Sequence, residues 1–120
     1  MAERKKRVLI TGAAGTIGRS LAERLRDRYD LRLQYNRNIP DQHPVADWLV
    51  ADISKFEQIA RAMEGIDAVV HMAGDPSTSS AWESVHEANV VGMYHTIEAA
   101  RQAGVGKFIF ASTNHVMGMY

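Results

Sequence analysis

Cysteine is missing from the sequence, which runs to 120 residues. Its absence excludes a disulfide framework, a thiolate nucleophile and a zinc site built on thiolates. A surplus of charge is missing too: 14 Lys and Arg residues balance 14 Asp and Glu residues. No overall field therefore draws the chain toward nucleic acid or an anionic membrane. No apolar run approaches the roughly 20 residues that cross a bilayer. The run after Arg7 breaks at once into Thr11-Gly12-Ala13-Ala14-Gly15, so it is not the apolar segment of a secretion signal. The basic cluster Arg4-Lys5-Lys6-Arg7 reads as a wet lead-in to the first strand rather than as an address or anchor. His43, His71, His86 and His95 show neither H-x-x-x-H nor H-E-x-x-H spacing, and no metal site is expected. Internal repeats and low-complexity linkers are also absent.

What is present is the balance of an ordinary soluble domain, with 46% hydrophobic and 23% charged residues. The expectation is one cytosolic domain over residues 1–120, large enough for a core but small for a complete α/β enzyme. The pattern reads strand, helix, strand, strand, helix, strand, helix, strand. Val8-Leu9-Ile10, Ala68-Val69-Val70 and Phe108-Ile109-Phe110 are short continuous apolar runs, as in strands covered on both faces. Leu31 to Tyr35 alternates and suits a strand with one wetter face, and Trp48-Leu49-Val50 is a further short strand. Ile17, Leu21 and Leu25 recur every four residues, which predicts the buried stripe of a first helix. Ser54-Lys55-Phe56-Glu57 and Ser80-Ala81-Trp82-Glu83 have capping-box form. Gly65 and Gly104 stand where the two helices should end in left-handed caps. The fold class is α/β, a Rossmann-type doubly wound parallel sheet with right-handed crossovers.

Between the first strand and first helix lies Thr11-Gly12-Ala13-Ala14-Gly15-Thr16-Ile17-Gly18. Gly12 permits the turn out of the strand, Gly15 lets backbone N–H groups approach a phosphate, and Gly18 lets the helix lie close on the sheet. The open amides and positive end of the helix dipole favour an anion. The spacing is G-x-x-G-x-x-G, and no Gly-Lys-Ser/Thr closes it as in a Walker loop. A dinucleotide pyrophosphate is the ligand this loop predicts.

Further along come Ala51-Asp52-Ile53, His71-Met72-Ala73-Gly74, Ala88-Asn89-Val90-Val91-Gly92 and Ala111-Ser112-Thr113-Asn114-His115-Val116. Together with residues 12–18 they resemble the extended short-chain dehydrogenase/reductase superfamily, the NAD-dependent epimerase/dehydratase family. The resemblance implies a cofactor, NAD or NADP, held by Gly12, Ala14, Gly15, Thr16, Ile17 and Gly18. It places Asp52 and Ile53 at the adenine, and Met72, Ala73 and Gly74 at the ribose and nicotinamide. Asn89 matches an asparagine that helps organise the active site. Thr113 takes the catalytic hydroxyl position, where it donates to the reacting oxygen as charge builds. Asn114 and His115 would face substrate oxygens, and Ser77 or Thr78 would meet sugar hydroxyls or a carboxylate. The run from Ser112 to Gly118 is similar to that of uronate dehydrogenases and related sugar-acid or aldose dehydrogenases, which oxidise a free sugar at its anomeric carbon.

Two departures qualify the likeness. NAD enzymes of this fold usually end the second strand with a carboxylate on the adenosine ribose, whereas this chain reads Tyr35-Asn36-Arg37-Asn38. Asn36 and Arg37 are the candidates there, and a guanidinium can pair with a 2′-phosphate, which tilts the cofactor toward NADP. The family's Tyr-x-x-x-Lys pair is also absent from the 120 residues: Tyr94 and Tyr29 are followed at the fourth position by Glu98 and Leu33. The segment is thus expected to be the N-terminal part of a longer enzyme, truncated after the fifth main strand and inactive alone. Phe108, Ile109, Phe110 and Val116 should then be partly exposed, favouring self-association, and the full-length protein is expected to be a homo-oligomer. The leading expectation is an NAD(P)-dependent oxidoreductase acting on a small-molecule sugar or sugar acid. A nucleotide-sugar epimerase or dehydratase shares the same cofactor half, and a non-catalytic NADP-binding sensor is the alternative of another class.

Overall fold

The structure, a computed structural model, describes residues 5–36, 39–72 and 90–110. Its elements are β1 (Arg7–Thr11), α1 (Thr16–Leu25), β2 (Asp30–Tyr35), β3 (Trp48–Val50), α2 (Phe56–Ala62), β4 (Ala68–His71), α3 (Gly92–Gln102) and β5 (Lys107–Phe110). The five strands form one sheet in the order β3-β2-β1-β4-β5, and every pair is parallel. The chain steps outward from β1 through β2 to β3, then returns to β1's other side for β4 and β5. That reversal opens a crevice beyond the carboxyl ends of β1 and β4.

The apolar runs of β1 and β4 form strands because the centre of the sheet is covered on both faces. The β5 run Phe108-Ile109-Phe110, expected to be covered likewise, is largely exposed at the sheet's edge among the described residues. Leu9 and Val69 join Ile53, Ile59, Met63, Ala99 and Ala100 in a core under α2 and α3. Val8 and Ile10 point the other way, to Ala22, Leu31, Leu33 and Tyr35 on the α1 side. Each large apolar side chain fully buried in this way contributes about 1.5–3 kcal/mol. Helix α3 ends in a Schellman motif: Val105 N–H donates to Ala100 O and Gly104 N–H to Arg101 O, with Gly104 at φ +77°. Gly65 is also left-handed, at φ +74°. At the close of α2, Arg32 Nη1 donates to the carbonyls of Ala62 and Glu64, supplying donors that the helix end itself lacks.

Three sequence expectations are corrected. Ile17 is 68% exposed; the buried positions of α1 are Gly18 and Ala22, because the helix approaches the sheet through its smallest residues. The second face of β2 is not wet: Gln34 is fully buried with hydrogen-bond partners for its amide. Ser54 does not cap α2, since Lys55 holds the N-cap position without a side-chain bond. The Ser54 N–H and Oγ–H instead both donate to Asp52 Oδ1, at 2.9 and 2.7 Å. The capping box at Ser80 lies outside the described residues, as does Val116. Ile109 and Phe110 of β5 are exposed. Among the described residues no helix is long and apolar enough to cross a membrane.

Candidate functional site

Thr11 closes β1 between Gln34 of β2 and His71 of β4 in register, so three strand ends meet where the glycine loop begins. Gly12 turns at φ +66°, a conformation that other residues rarely adopt. Its N–H donates to Gln34 Oε1 at 2.8 Å, and Ala13 N–H donates to Gln34 O at 3.1 Å. Gly15 N–H donates back to Gly12 O at 3.2 Å. These three amides are satisfied within the protein, two by Gln34 of β2 and one inside the loop. The amides of Thr16, Ile17 and Gly18, by contrast, open α1 with no side-chain cap and no acidic residue in the first turn. Ala14, Gly15, Thr16 and Ile17 are all exposed, so the positive end of the helix faces solvent at the crevice.

The glycines divide the work. A Cβ on Gly18 would stand 2.8 Å from Gly12 O and 3.1 Å from Ala13 Cα, both backbone atoms. Gly18 is therefore required by the packing of helix on loop. A Cβ on Gly15 would meet only Gly12 O, at 3.6 Å, an ordinary contact. The protein's own packing does not require a glycine there.

Beside the loop, Thr11, His71 and Met72 are tied together. Met72 N–H donates to Thr11 Oγ1 at 2.9 Å, and Thr11 Oγ1 lies 2.8 Å from His71 Nδ1. Burial lowers the His71 pKa to about 4, so the ring is neutral at ordinary pH and shares one hydrogen bond with the threonine hydroxyl at Nδ1. Phe108 and Phe110 lie against that ring.

At the end of β2, the Tyr35 hydroxyl is 3.1 Å from His43 Nδ1, and the His43 ring stacks on Trp48 with centroids 4.1 Å apart. Burial raises the Tyr35 pKa, and the Arg19 cation partly offsets the rise. Asn36 is exposed just beyond. After β3, Asp52 is folded into the turn that opens α2. Its Oδ1 accepts from Ser54, and its N–H donates to Gln58 Oε1 at 2.8 Å. The Ile53 side chain is in the core, and its carbonyl lies 3.1 Å from His95 Nδ1, whose ring meets Phe56 edge-on.

The candidates Gly12, Ala14, Gly15, Thr16, Ile17, Gly18, Asn36, Asp52, Ile53 and Met72 thus gather along the carboxyl edge of the sheet, following β1, β2, β3 and β4. Arg37, Ala73, Gly74, Ser77, Thr78, Asn89, Thr113, Asn114 and His115 lie outside the described residues. Sequence reading missed Gln34, Thr11 and His95 as residues that hold the edge together. No local signal marked them: the alternation Leu31-Arg32-Leu33-Gln34-Tyr35 put Gln34 on the face expected to be wet.

A family model described as NAD dependent epimerase/dehydratase family matches residues 8–120. The NAD-dependent glucose-6-phosphate dehydrogenase of Haloferax volcanii is 39% identical over 118 residues, which cover 94% of this chain and 45% of that protein. The uronate dehydrogenase of Pseudomonas putida is 39% identical over 116 residues, 95% of this chain and 43% of that one. Among solved structures, a mutant uronate dehydrogenase from Agrobacterium tumefaciens complexed with NAD superposes with a TM-score of 0.85 at 34% identity. That match covers 96% of this chain and 43% of the other. The chain therefore spans less than half the length of the relatives it matches.

Proposed function

The chain belongs to the NAD dependent epimerase/dehydratase family, and from that premise we propose that residues 1–120 form the NAD(P)-binding part of a dehydrogenase acting on a sugar or sugar acid. The observation that carries the reading is the uncapped start of α1 at the crevice beyond β1 and β4. A diphosphate fits it: open amides, a helix dipole of the right sign, and a Gly15 whose hydrogen leaves room on the solvent side. Gly12, Ala14, Gly15, Thr16, Ile17 and Gly18 hold the pyrophosphate in this reading. Asn36 and Arg37 meet the adenosine ribose, Asp52 and Ile53 the adenine, and Met72, Ala73, Gly74 and Asn89 the rest of the dinucleotide.

A bound nicotinamide supplies hydride transfer at a substrate carbon. What the chain's own residues contribute is orientation and charge stabilisation. Thr113 donates to the substrate oxygen as charge develops, while Ser77, Thr78, Asn114 and His115 fix the sugar. The 120 residues contain no Tyr-x-x-x-Lys spacing, and their share of the reaction in this reading is to hold the cofactor and orient the substrate. The choice of a free sugar or sugar acid rests on the strand-five run from Ser112 to Gly118 and on the names of the relatives. The lack of a carboxylate at Tyr35-Asn36-Arg37-Asn38 favours NADP or tolerance of both dinucleotides.

The test supplies the full-length enzyme, of which these residues form the cofactor half in this reading, with free uronic acids, free aldoses and UDP-sugars, and follows the absorbance of reduced nicotinamide. Oxidation of a free sugar is expected; reduction of the cofactor by a UDP-sugar alone would overturn the substrate reading. In parallel, both dinucleotides are titrated into wild type and Arg37→Ala. A selective loss for NADP, worth roughly 1–3 kcal/mol for a charge-assisted contact, is expected, and equal losses for both would refute the role of Arg37.

A further inference from the structure

From β2, the Gln34 side chain hydrogen-bonds both to the glycine loop after β1 and to the Ala51 carbonyl after β3. It is fully buried, and its amide is divided between two loops. Oε1 accepts the Gly12 N–H at 2.8 Å, while Nε2 donates to Ala51 O at 2.5 Å. Its own carbonyl accepts the Ala13 N–H at 3.1 Å. The first two amides of the glycine loop are thus turned inward by one residue, and the left-handed Gly12 is fixed in that orientation. Turned that way, the loop presents the amides that follow it to the crevice. Ala51, in turn, immediately precedes Asp52. It is pinned from both sides, since Ala51 N–H donates to Tyr35 O at 2.9 Å while its carbonyl takes the Gln34 amide.

We propose that Gln34 is a positioning residue for dinucleotide binding, a buried bridge that sets the spacing between the pyrophosphate loop and the Ala51–Asp52 step. The inference rests on the cofactor reading above and deepens it. A primary amide suits the task because the bridge needs an acceptor on one arm and a donor on the other. An aliphatic residue of similar size leaves the Gly12 N–H and the Ala51 carbonyl without partners in a dry site. A glutamate keeps the acceptor but, when ionised, has no donor for Ala51 and puts a negative charge beneath the pyrophosphate. Protonated, it regains an O–H that can donate to Ala51, and it loses the charge.

The experiment titrates NAD and NADP into wild type, Gln34→Leu and Gln34→Glu across pH, with circular dichroism on each, and measures amide exchange at Gly12 in the wild-type protein. Slow exchange of the Gly12 amide is expected without any ligand. Gln34→Leu should weaken dinucleotide binding roughly tenfold or more. Gln34→Glu should bind weakly above neutral pH and regain affinity as the solution is acidified, a recovery that wild type does not show. A merely structural role would lower the melting temperature of both variants and leave the pH profile of binding parallel to wild type; that result overturns the proposal. Fast exchange at Gly12 overturns it as well, even where a variant fails to fold. If wild type binds neither dinucleotide, the cofactor reading falls instead, and the exchange result still reports whether the bridge exists.

Discussion

One hydrogen atom at Gly18 decides how closely α1 can approach the loop that precedes it. A methyl group in its place would stand 2.8 Å from the Gly12 carbonyl oxygen and 3.1 Å from Ala13 Cα. Both are backbone atoms held by neighbouring hydrogen bonds, so neither yields cheaply. Gly18→Ala should therefore cost about 1–3 kcal/mol, the range for overpacking a tight site, and urea denaturation will read it; an unshifted midpoint would contradict this account of the loop. These glycines were legible in the sequence because their spacing, between an apolar strand and a helix, has few physical uses. Gln34 and Thr11 were not legible. Their partners lie 22 and 60 residues away, and nothing local distinguishes a buried bridging glutamine from a solvated one.

Among the elements, β1 and β4 are legible because each is a short apolar run between two covering layers, and the α3 terminus because a glycine marks it. Helix beginnings are harder. The sequence Ser54-Lys55-Phe56-Glu57 has the form of a capping box, yet Asp52 two residues earlier takes the serine's hydrogen bonds first. A carboxylate is the stronger acceptor, and the turn it makes displaces the cap. Ile17 misleads for a related reason: its period matches the buried stripe, but the helix starts only one residue earlier, above the rim of the sheet. Two predictions belong to this scale. Gly104 sits at φ +77°, and a methyl group added there would have nothing within 4 Å of it. Gly104→Ala thus isolates backbone strain and should cost about 1–2 kcal/mol in thermal denaturation. Arg32→Met removes the donor to the Ala62 and Glu64 carbonyls together with the ion pair to Asp47 and should cost about 1–3 kcal/mol; a stability equal to wild type would show that water replaces the guanidinium without loss.

For the molecule as a whole, topology converts these local features into one edge. Because every strand is parallel and β1 lies between β2 and β4, the loops after β1, β2, β3 and β4 all emerge on the same side. The same edge carries a pH dependence. His71 is neutral when folded, its pKa lowered by burial from 6.5 to about 4. Between those values the unfolded chain binds the proton and the folded one does not. Stability linked to His71 is thus intact above pH 6.5 and declines as pH falls toward about 4, by up to about 3 kcal/mol. An NMR titration in which the His71 ring protonates near its ordinary value would contradict the neutral Thr11–His71 pair.

The central claim is that the loop at residues 12–18 holds the pyrophosphate, and Gly15 offers the cleanest way to test it. The protein's packing leaves an ordinary 3.6 Å contact for a side chain at that position, whereas a bound phosphate would not. Calorimetric titration of NAD and NADP into wild type and Gly15→Asp, with circular dichroism on both, is the direct measurement. The account predicts a folded variant whose affinity falls roughly tenfold or more, as a carboxylate meets the phosphate charge at close range. A folded Gly15→Asp protein that binds both dinucleotides as tightly as wild type would contradict it.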